Sequence, residues 1–396
     1  MGPARRWQHL AWRLGAIAFL LLLATIWYFW FYHVSADRLL ATGRLALARG
    51  EWDQVQEVAE RLERAGYEDH SRLLRAEWLW SRGEAAGALA LAEGVRAEGR
   101  LRLEAALIAG KCLLALDNRQ EAFRVLRWVL DQDDSQVDAH RGLAALAYDW
   151  GQWHQAERHL RRVAELDPKD PRPYRLLGLM YKDLSRWDDA ERAYLAAWER
   201  GVEGTMRSDI RLELAEVLLQ KARYEEALTW TRVASGEVSA SHQAQVARLR
   251  AEGWYGMGRW AEAAAELDAL PREQWTAEMW RCRGRLDRDA GQMEQAAECL
   301  ERAVQLAPRD AESWHVLAQV YESLNRKEAA AQARRRVEEI HQRLQQLTEL
   351  TQQAMERPWD SAVRQKLAEV HEQLGHADLA RQWRKAAAEC AAMERR

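Results

Sequence analysis

Apolar residues recur along this chain at steps of three and four. In the clearest stretch they fall at Leu176, Leu177, Met180, Tyr181 and Leu184, which predicts one face of an amphipathic helix. A short turn, Asp-Leu-Ser-Arg-Trp from Asp183 to Trp187, leads into a second helical pattern carrying Ala190 and Tyr194. The segment before it, starting at Val137, has the same design. At an offset of 34, His140 falls on Tyr174, Leu143 on Leu177, Ala144 on Gly178, Trp153 on Trp187, Ala156 on Ala190 and Leu160 on Tyr194. A fixed period of this length predicts an array of helical hairpins. Gly178 and Ala190 are small because two antiparallel helices must approach closely there. One hairpin has an apolar face that it cannot bury alone, and stacking buries it.

The same register extends in both directions from the central pair. Gly50 with Val55, Gly83 with Ala88 and Asp117 with Ala122 mark earlier units. Tyr224 with Ala227, Gly258 with Ala263, Gly291 with Ala296 and Asn325 with Ala330 mark later ones. Tyr174, Leu177, Gly178, Tyr181, Ala190, Tyr194 and Ala197 together resemble the tetratricopeptide repeat (TPR). That resemblance implies an all-α, TPR-type α-solenoid of about ten hairpins in a right-handed superhelix, built to bind other proteins or peptides. It also implies that first helices line the concave face. Carried residue by residue, the register puts Arg141, Tyr148, Arg172, Arg175, Lys182, Arg248, Tyr255, Arg281, Arg285 and Arg288 there, with Ala145, Leu179 and Leu212 between them. Basic and aromatic groups in this arrangement suit an extended peptide with acidic side chains or a free carboxylate, held by bidentate arginines. A solvated face of mixed charge fits the same residues.

Two stretches depart from the repeat. Residues 1–13 form a short basic flank, and Leu14 to Val34 contains no formal charge, while Trp27 to Tyr32 are all aromatic. Length and aromatic crowding predict a transmembrane helix or signal anchor over 14–34, with the N-terminus cytoplasmic and the repeats, over 36–340, outside the cytoplasm. Near the other end, 331–357 lacks a helix breaker, and Val337, Ile340, Leu344, Leu347, Thr351 and Ala354 alternate by three and four, predicting one long helix. That stripe packs along the array or forms a homodimer seam. Residues 358–396 then read as a last hairpin and a C-terminal cap.

Composition removes whole classes of function. Lys and Arg number 58 against 61 Asp and Glu, with no long basic run, so the electrostatic footprint for nucleic acid is missing. The four Cys, at 112, 282, 299 and 390, show no Cys-x-x-Cys, and no paired histidine spacing suits a metal. Cys282 and Cys299 belong to the two helices of one unit, which leaves a disulfide geometrically open beside the simpler reading of small buried thiols. The histidine pairs 154/159 and 371/376 read as surface or turn residues. No constellation supplies a nucleophile, a base and an oxyanion site together, so no enzyme, metal or cofactor is expected. Most of the 20 Trp have structural addresses, such as the shared turn position of Trp52, Trp153, Trp187 and Trp260, while Trp80 is the better candidate for exposure. The expected protein is a membrane-anchored scaffold for protein–protein interaction, in the bacterial cell envelope. The alternative is a regulatory or substrate-recruiting subunit of an envelope enzyme or export complex, related to polysaccharide or lipopolysaccharide.

Overall fold

The computed structural model describes residues 36–232, 240–357 and 359–394, together with 19, 21–25 and 27. Among the described residues from 36 onward, twenty α-helices follow one another and no strand occurs. They are α1 (36–49), α2 (Trp52–Arg64), α3 (Glu68–Ser81), α4 (Ala85–Glu93), α5 (Arg100–Ala115), α6 (Arg119–Gln132) and α7 (Val137–Asp149). There follow α8 (Trp153–Leu166), α9 (Arg172–Asp183), α10 (Trp187–Trp198), α11 (Gly204–Gln220), α12 (Tyr224–Trp230) and α13 (Ala240–Gly256). The last are α14 (Trp260–Asp268), α15 (Ala277–Asp289), α16 (Met293–Leu306), α17 (Ala311–Ser323), α18 (Lys327–Glu356), α19 (Ser361–Gln373) and α20 (Ala377–Glu394). A 3-10 turn, Arg272–Gln274, lies in the longer connection after α14.

Ten hairpin turns share one backbone device. Each centres on a residue with positive φ: Gly50, Gly83, Asp117, Gly151, Ser185, Ala222, Gly258, Gly291, Asn325 or Gly375. The amide of that residue donates to the carbonyl three places back and the next amide to the carbonyl five back, as in Gly83 to Trp80 at 3.0 Å and Glu84 to Leu79 at 2.9 Å. This closes the free carbonyls of the first helix and reverses the chain. Six of the ten are glycine, for which positive φ carries no steric cost. Asp, Ser and Asn have short polar side chains that tolerate it; Ala222, at φ 55°, has none. Ala222→Gly is therefore expected to raise stability by about 0.5–1 kcal/mol, after the extra chain entropy of glycine is subtracted. Thermal denaturation checks this, and a lowered midpoint would contradict the strained turn.

Small residues recur at fixed distances from these turns. Seven places before them stand Gly43, Ala76, Gly110, Ala144, Gly178, Ala215, Ala251, Gly284, Ala318 and Ala368, and all are buried. Where the residue is glycine, the partner helix lies across it: a Cβ on Gly284 would meet Leu300, and one on Gly110 would meet Leu126. On second helices the residue five places after the turn is nearly always alanine, from Ala88 at 0% exposure to Ala380 at 1%, with Val55 in the first hairpin. Hairpins are thus pinched at fixed points, and larger side chains fill the space around them.

The chain separates into two compact units, residues 1–142 and 143–396, with the division inside α7. In the first unit, Val55, Leu62, Leu73, Leu74, Ala88 and Ala105 share one core, and Arg44 on α1 bridges Glu77 on α3 and Glu104 on α5. In the second, the core runs from Ala144 through Tyr181 and Tyr194 to Ala227, and further clusters follow along the array.

Helix α18 corrects the tail reading in part. It starts at Lys327 because it is the second helix of the hairpin with α17, and it ends at Glu356. Ile340 and Ala354 on its apolar stripe are buried within the chain, while Leu344 is 42% exposed. Two predicted elements fall largely elsewhere: the flank 1–13 lies outside the described residues, as does most of 14–34. Among the described residues, no helix is long and apolar enough to cross a membrane.

Candidate functional site

The second unit gathers most of the candidate side chains, because consecutive first helices α9, α11, α13, α15 and α17 each present a polar stripe to the next. Lys182 on α9 reaches Glu216 on α11 at 2.9 Å, and Glu216 in turn meets Arg248 on α13 at 3.3 Å. Arg281 on α15 reaches Asp310 at 2.6 Å, and Arg285 reaches Glu312 on α17 at 3.1 Å. Tyr255 donates to Asp289 at 2.7 Å, with the Arg285 guanidinium 4.1 Å from its ring centroid. Tyr148 likewise donates to Asp183 on the following first helix. Burial and then that carboxylate push the Tyr148 hydroxyl far above the usual phenol range.

These contacts change the picture of the arginines. Arg175 holds Glu213 at 2.7 Å and Asp209 at 3.1 Å; Arg172 holds Asp170 at 2.8 Å; Arg288 holds Asp289 at 2.8 Å. In the first unit, Arg141 pairs with Asp138 at 2.9 Å, which also receives Lys111 at 3.1 Å. Burial works against the charge of Arg248, but Glu252 and Glu216 more than offset it. Every predicted cation of the site therefore already carries a carboxylate partner, and an acidic ligand must share or displace one. Of the apolar positions assigned to the same face, Leu212 is 2% exposed and packs with Ala215 and Leu249, so it belongs to the core instead. Trp80 is half-buried, with the Lys111 ammonium 5.5 Å from its ring centroid.

A cavity of about 780 Å³ opens between these helices, walled by Glu216, Arg248, Glu252, Glu278, Arg281 and Asp310. Leu306, 59% exposed, adds an apolar patch at its edge, and Leu374, Gly375 and His376 from the α19–α20 turn form one side. Burial opposes ionisation of Glu278, yet the Thr276 hydroxyl and the guanidinium groups of Arg248 and Arg281 hold its carboxyl below the usual range. The cavity is a polar, charged pocket with paired ions on its walls, suited to a segment that exchanges its own charges for the internal ones.

The cysteines and histidines resolve simply. All four cysteines are buried thiols outside any disulfide. Burial pushes the thiols of Cys282 and Cys299 up to about 12, with Asp287 adding to the effect at Cys299, where the thiol donates to its carboxylate at 3.5 Å. Among the described residues, no three His, Cys, Asp or Glu side chains are placed to hold a metal. His371 corrects the reading of surface histidines: it is 9% exposed and stacked on Trp383, with His376 3.3 Å away. Burial, and then His376, lower it to about 4. A histidine lowered in the folded state stabilises above its unfolded value near 6.5, and that contribution is lost as pH falls toward 4. The full gap corresponds to about 3 kcal/mol, and residual solvent access reduces it to roughly 2. Urea titrations at several pH values are expected to show this loss in the native protein and not in His371→Gln; equal slopes would contradict a buried neutral imidazole.

Sequence reading missed the residues that close the second unit. Arg364 is fully buried and its Nη2 donates to the Trp150 carbonyl at 2.9 Å, while the Trp150 indole donates to Glu389 at 3.2 Å. One signal was available. Arg364 stands eleven places before its turn residue Gly375, where Tyr174, Trp280 and Trp314 stand before Ser185, Gly291 and Asn325. An arginine at an aromatic address marks a contact of a different kind.

A comparison with curated protein sequences finds no match. Among solved structures, a tetratricopeptide repeat protein from Parabacteroides merdae is 16% identical, covering 64% of this chain and 98% of its own, with a TM-score of 0.41. The pilF protein of Pseudomonas aeruginosa is 21% identical over 55% of this chain and 97% of its own, at TM-score 0.41. YrrB, described as a TPR protein with an unusual peptide-binding site, is 18% identical over 48% and 96%, at 0.39. Sequence profiles of the tetratricopeptide repeat match residues 143–202, 175–242, 277–320 and 311–340. The hairpins across 143–242 and 277–340 of this chain are tetratricopeptide repeats.

Proposed function

We propose that the chain is a scaffold that binds a protein segment in the groove of its second unit, tethered to a membrane through 14–34 in a bacterial cell envelope. The observation that carries the binding site is the cavity of about 780 Å³ on the first-helix face, with exposed Leu306 beside paired ions. Repeats of this kind serve protein–protein interaction, and the cavity supplies shape, one apolar anchor and exchangeable charges. Since Arg281, Arg285 and Arg288 are internally paired, the partner is better described as polar and of mixed charge than as purely acidic. The uncharged, aromatic-ended stretch 14–34 supports the tether.

The test is photo-crosslinking from Gln245, which lines the cavity and takes part in none of the ion pairs above. Benzoylphenylalanine placed there in cells is expected to capture envelope proteins, and Gln245→Trp, which fills the groove, is expected to abolish capture from neighbouring positions without lowering the melting midpoint. One enzyme or export component captured at fixed ratio would select the subunit form of the reading. Cytosolic partners would overturn the envelope placement, and no capture from any groove position would overturn the site.

A further inference from the structure

Helix α18 supports two separate clusters. Its first half buries Ala330, Ala333 and Ile340, whereas its end buries Leu350 and Ala354 in a cluster with Val363, Leu367, Val370, Leu374 and Trp383 of α19 and α20. Between them, none of residues 341–349 is buried. That stretch is a lightly packed strap, touching the final hairpin only through partly buried Leu347 and a hydrogen bond from Arg343 to Gln373 at 3.3 Å, with that hairpin at its far end.

The hairpin lands on the turn after α7, more than two hundred residues back in the chain. Arg364 donates to the Trp150 carbonyl at 2.9 Å, across a separation of 214 residues. Carbonyls at a helix C-terminus lack intrahelical partners and carry partial negative charge, so a guanidinium there is favoured. Trp359 meets the Trp150 ring edge-on at 5.6 Å, and Trp383 lies against Gly151, where a Cβ would run into its ring. The other end of the same hairpin, Leu374 to His376, walls the cavity. A docking contact at one place and a cavity wall at another, joined through one hairpin at the end of a lightly packed strap, make a lever.

We propose that α19–α20 is a lid: docking of Arg364 and Trp383 on the Trp150–Gly151 turn holds the groove closed, and release of that contact opens it to the partner segment. The regulatory purpose rests on the groove reading above, whereas the opening does not. At position 364, where other repeats carry an aromatic, arginine adds a polar latch on the Trp150 carbonyl to the packing of Trp150, Trp359 and Trp383.

The test uses the full chain with nitroxide labels on Arg158→Cys and Gln382→Cys, both exposed sites, the native thiols being buried. Pulsed dipolar spectroscopy is expected to give one short distance population in the parent. Arg364→Leu is expected to raise a longer population by about tenfold, since a hydrogen bond to a charged group is worth at least that factor. Gly151→Asn attacks the other side of the contact, because Asn tolerates the positive φ but its Cβ meets Trp383. Unchanged distances in both variants would overturn the lid. Opening accompanied by greater capture at Gln245 supports the whole proposal; opening with unchanged capture would overturn the control of the groove, whereas only absent capture overturns the groove as the site.

Discussion

Gly178→Leu is expected to destabilise the second unit by about 3 kcal/mol, because the site has no room for any side chain. A Cβ there would lie 2.7 Å from Cδ1 and Cε1 of Tyr194, and 2.9 Å from Cζ. Tyr194 is fully buried, so its ring cannot swing outward to make space. It belongs to the same cluster as Tyr181, Ala190 and Ala197, which fixes both helices of the hairpin. Relief must then come from separating α9 and α10 or from forcing the ring off its rotamer, and both disturb the stacked neighbours. Gly178→Ala is expected to show a smaller loss of the same sign, and Tyr194→Ala in the Gly178→Leu background to recover part of it. Denaturant unfolding followed by circular dichroism measures all three. A Gly178→Leu midpoint equal to the parent would mean that α9 and α10 do not meet at this residue.

The crossing at Gly178 is legible in the amino-acid sequence, and the reason is local. A close helix crossing demands a small residue, and a tight reversal demands a residue that accepts positive φ; both demands leave their mark on residue type at fixed spacing. Gly178, Ala190 and Gly151 therefore reveal the hairpins directly. Ser185 and Ala222 show less, since neither residue type announces a left-handed turn, and only the register places them. Charges were legible as charges but not as pairs. Arg281 reads the same whether it faces solvent or Asp310, and its carboxylate lies on the next repeat. A partial signal did exist: Lys182 and Glu216, or Tyr255 and Asp289, stand 34 residues apart, one repeat on, where opposite groups on neighbouring first helices meet. The division inside α7 left no trace in composition, because both sides are built from the same unit.

Trp150→Ala is expected to have a larger effect still, about 3–5 kcal/mol, for reasons that no local pattern contains. Trp150 is 1% exposed and is among the largest fully buried side chains. It follows α7 directly, at the place held by Leu184 before Ser185 and by Leu324 before Asn325. There its indole meets Trp359 edge-on and donates to Glu389, while its carbonyl receives Arg364. Removing the ring leaves a void that the rigid turn at Gly151 cannot close, and it deprives Glu389 of a donor. The backbone carbonyl survives, so Arg364 retains its acceptor only if the final hairpin stays in place. Loss is therefore expected in two stages on denaturation: release of α19–α20, seen as early amide exchange in α19, then unfolding of the remaining helices at a midpoint closer to the parent. A single transition shifted by less than about 1 kcal/mol would show that the contact between the ends of this unit contributes little, and that neighbouring repeats alone carry its stability.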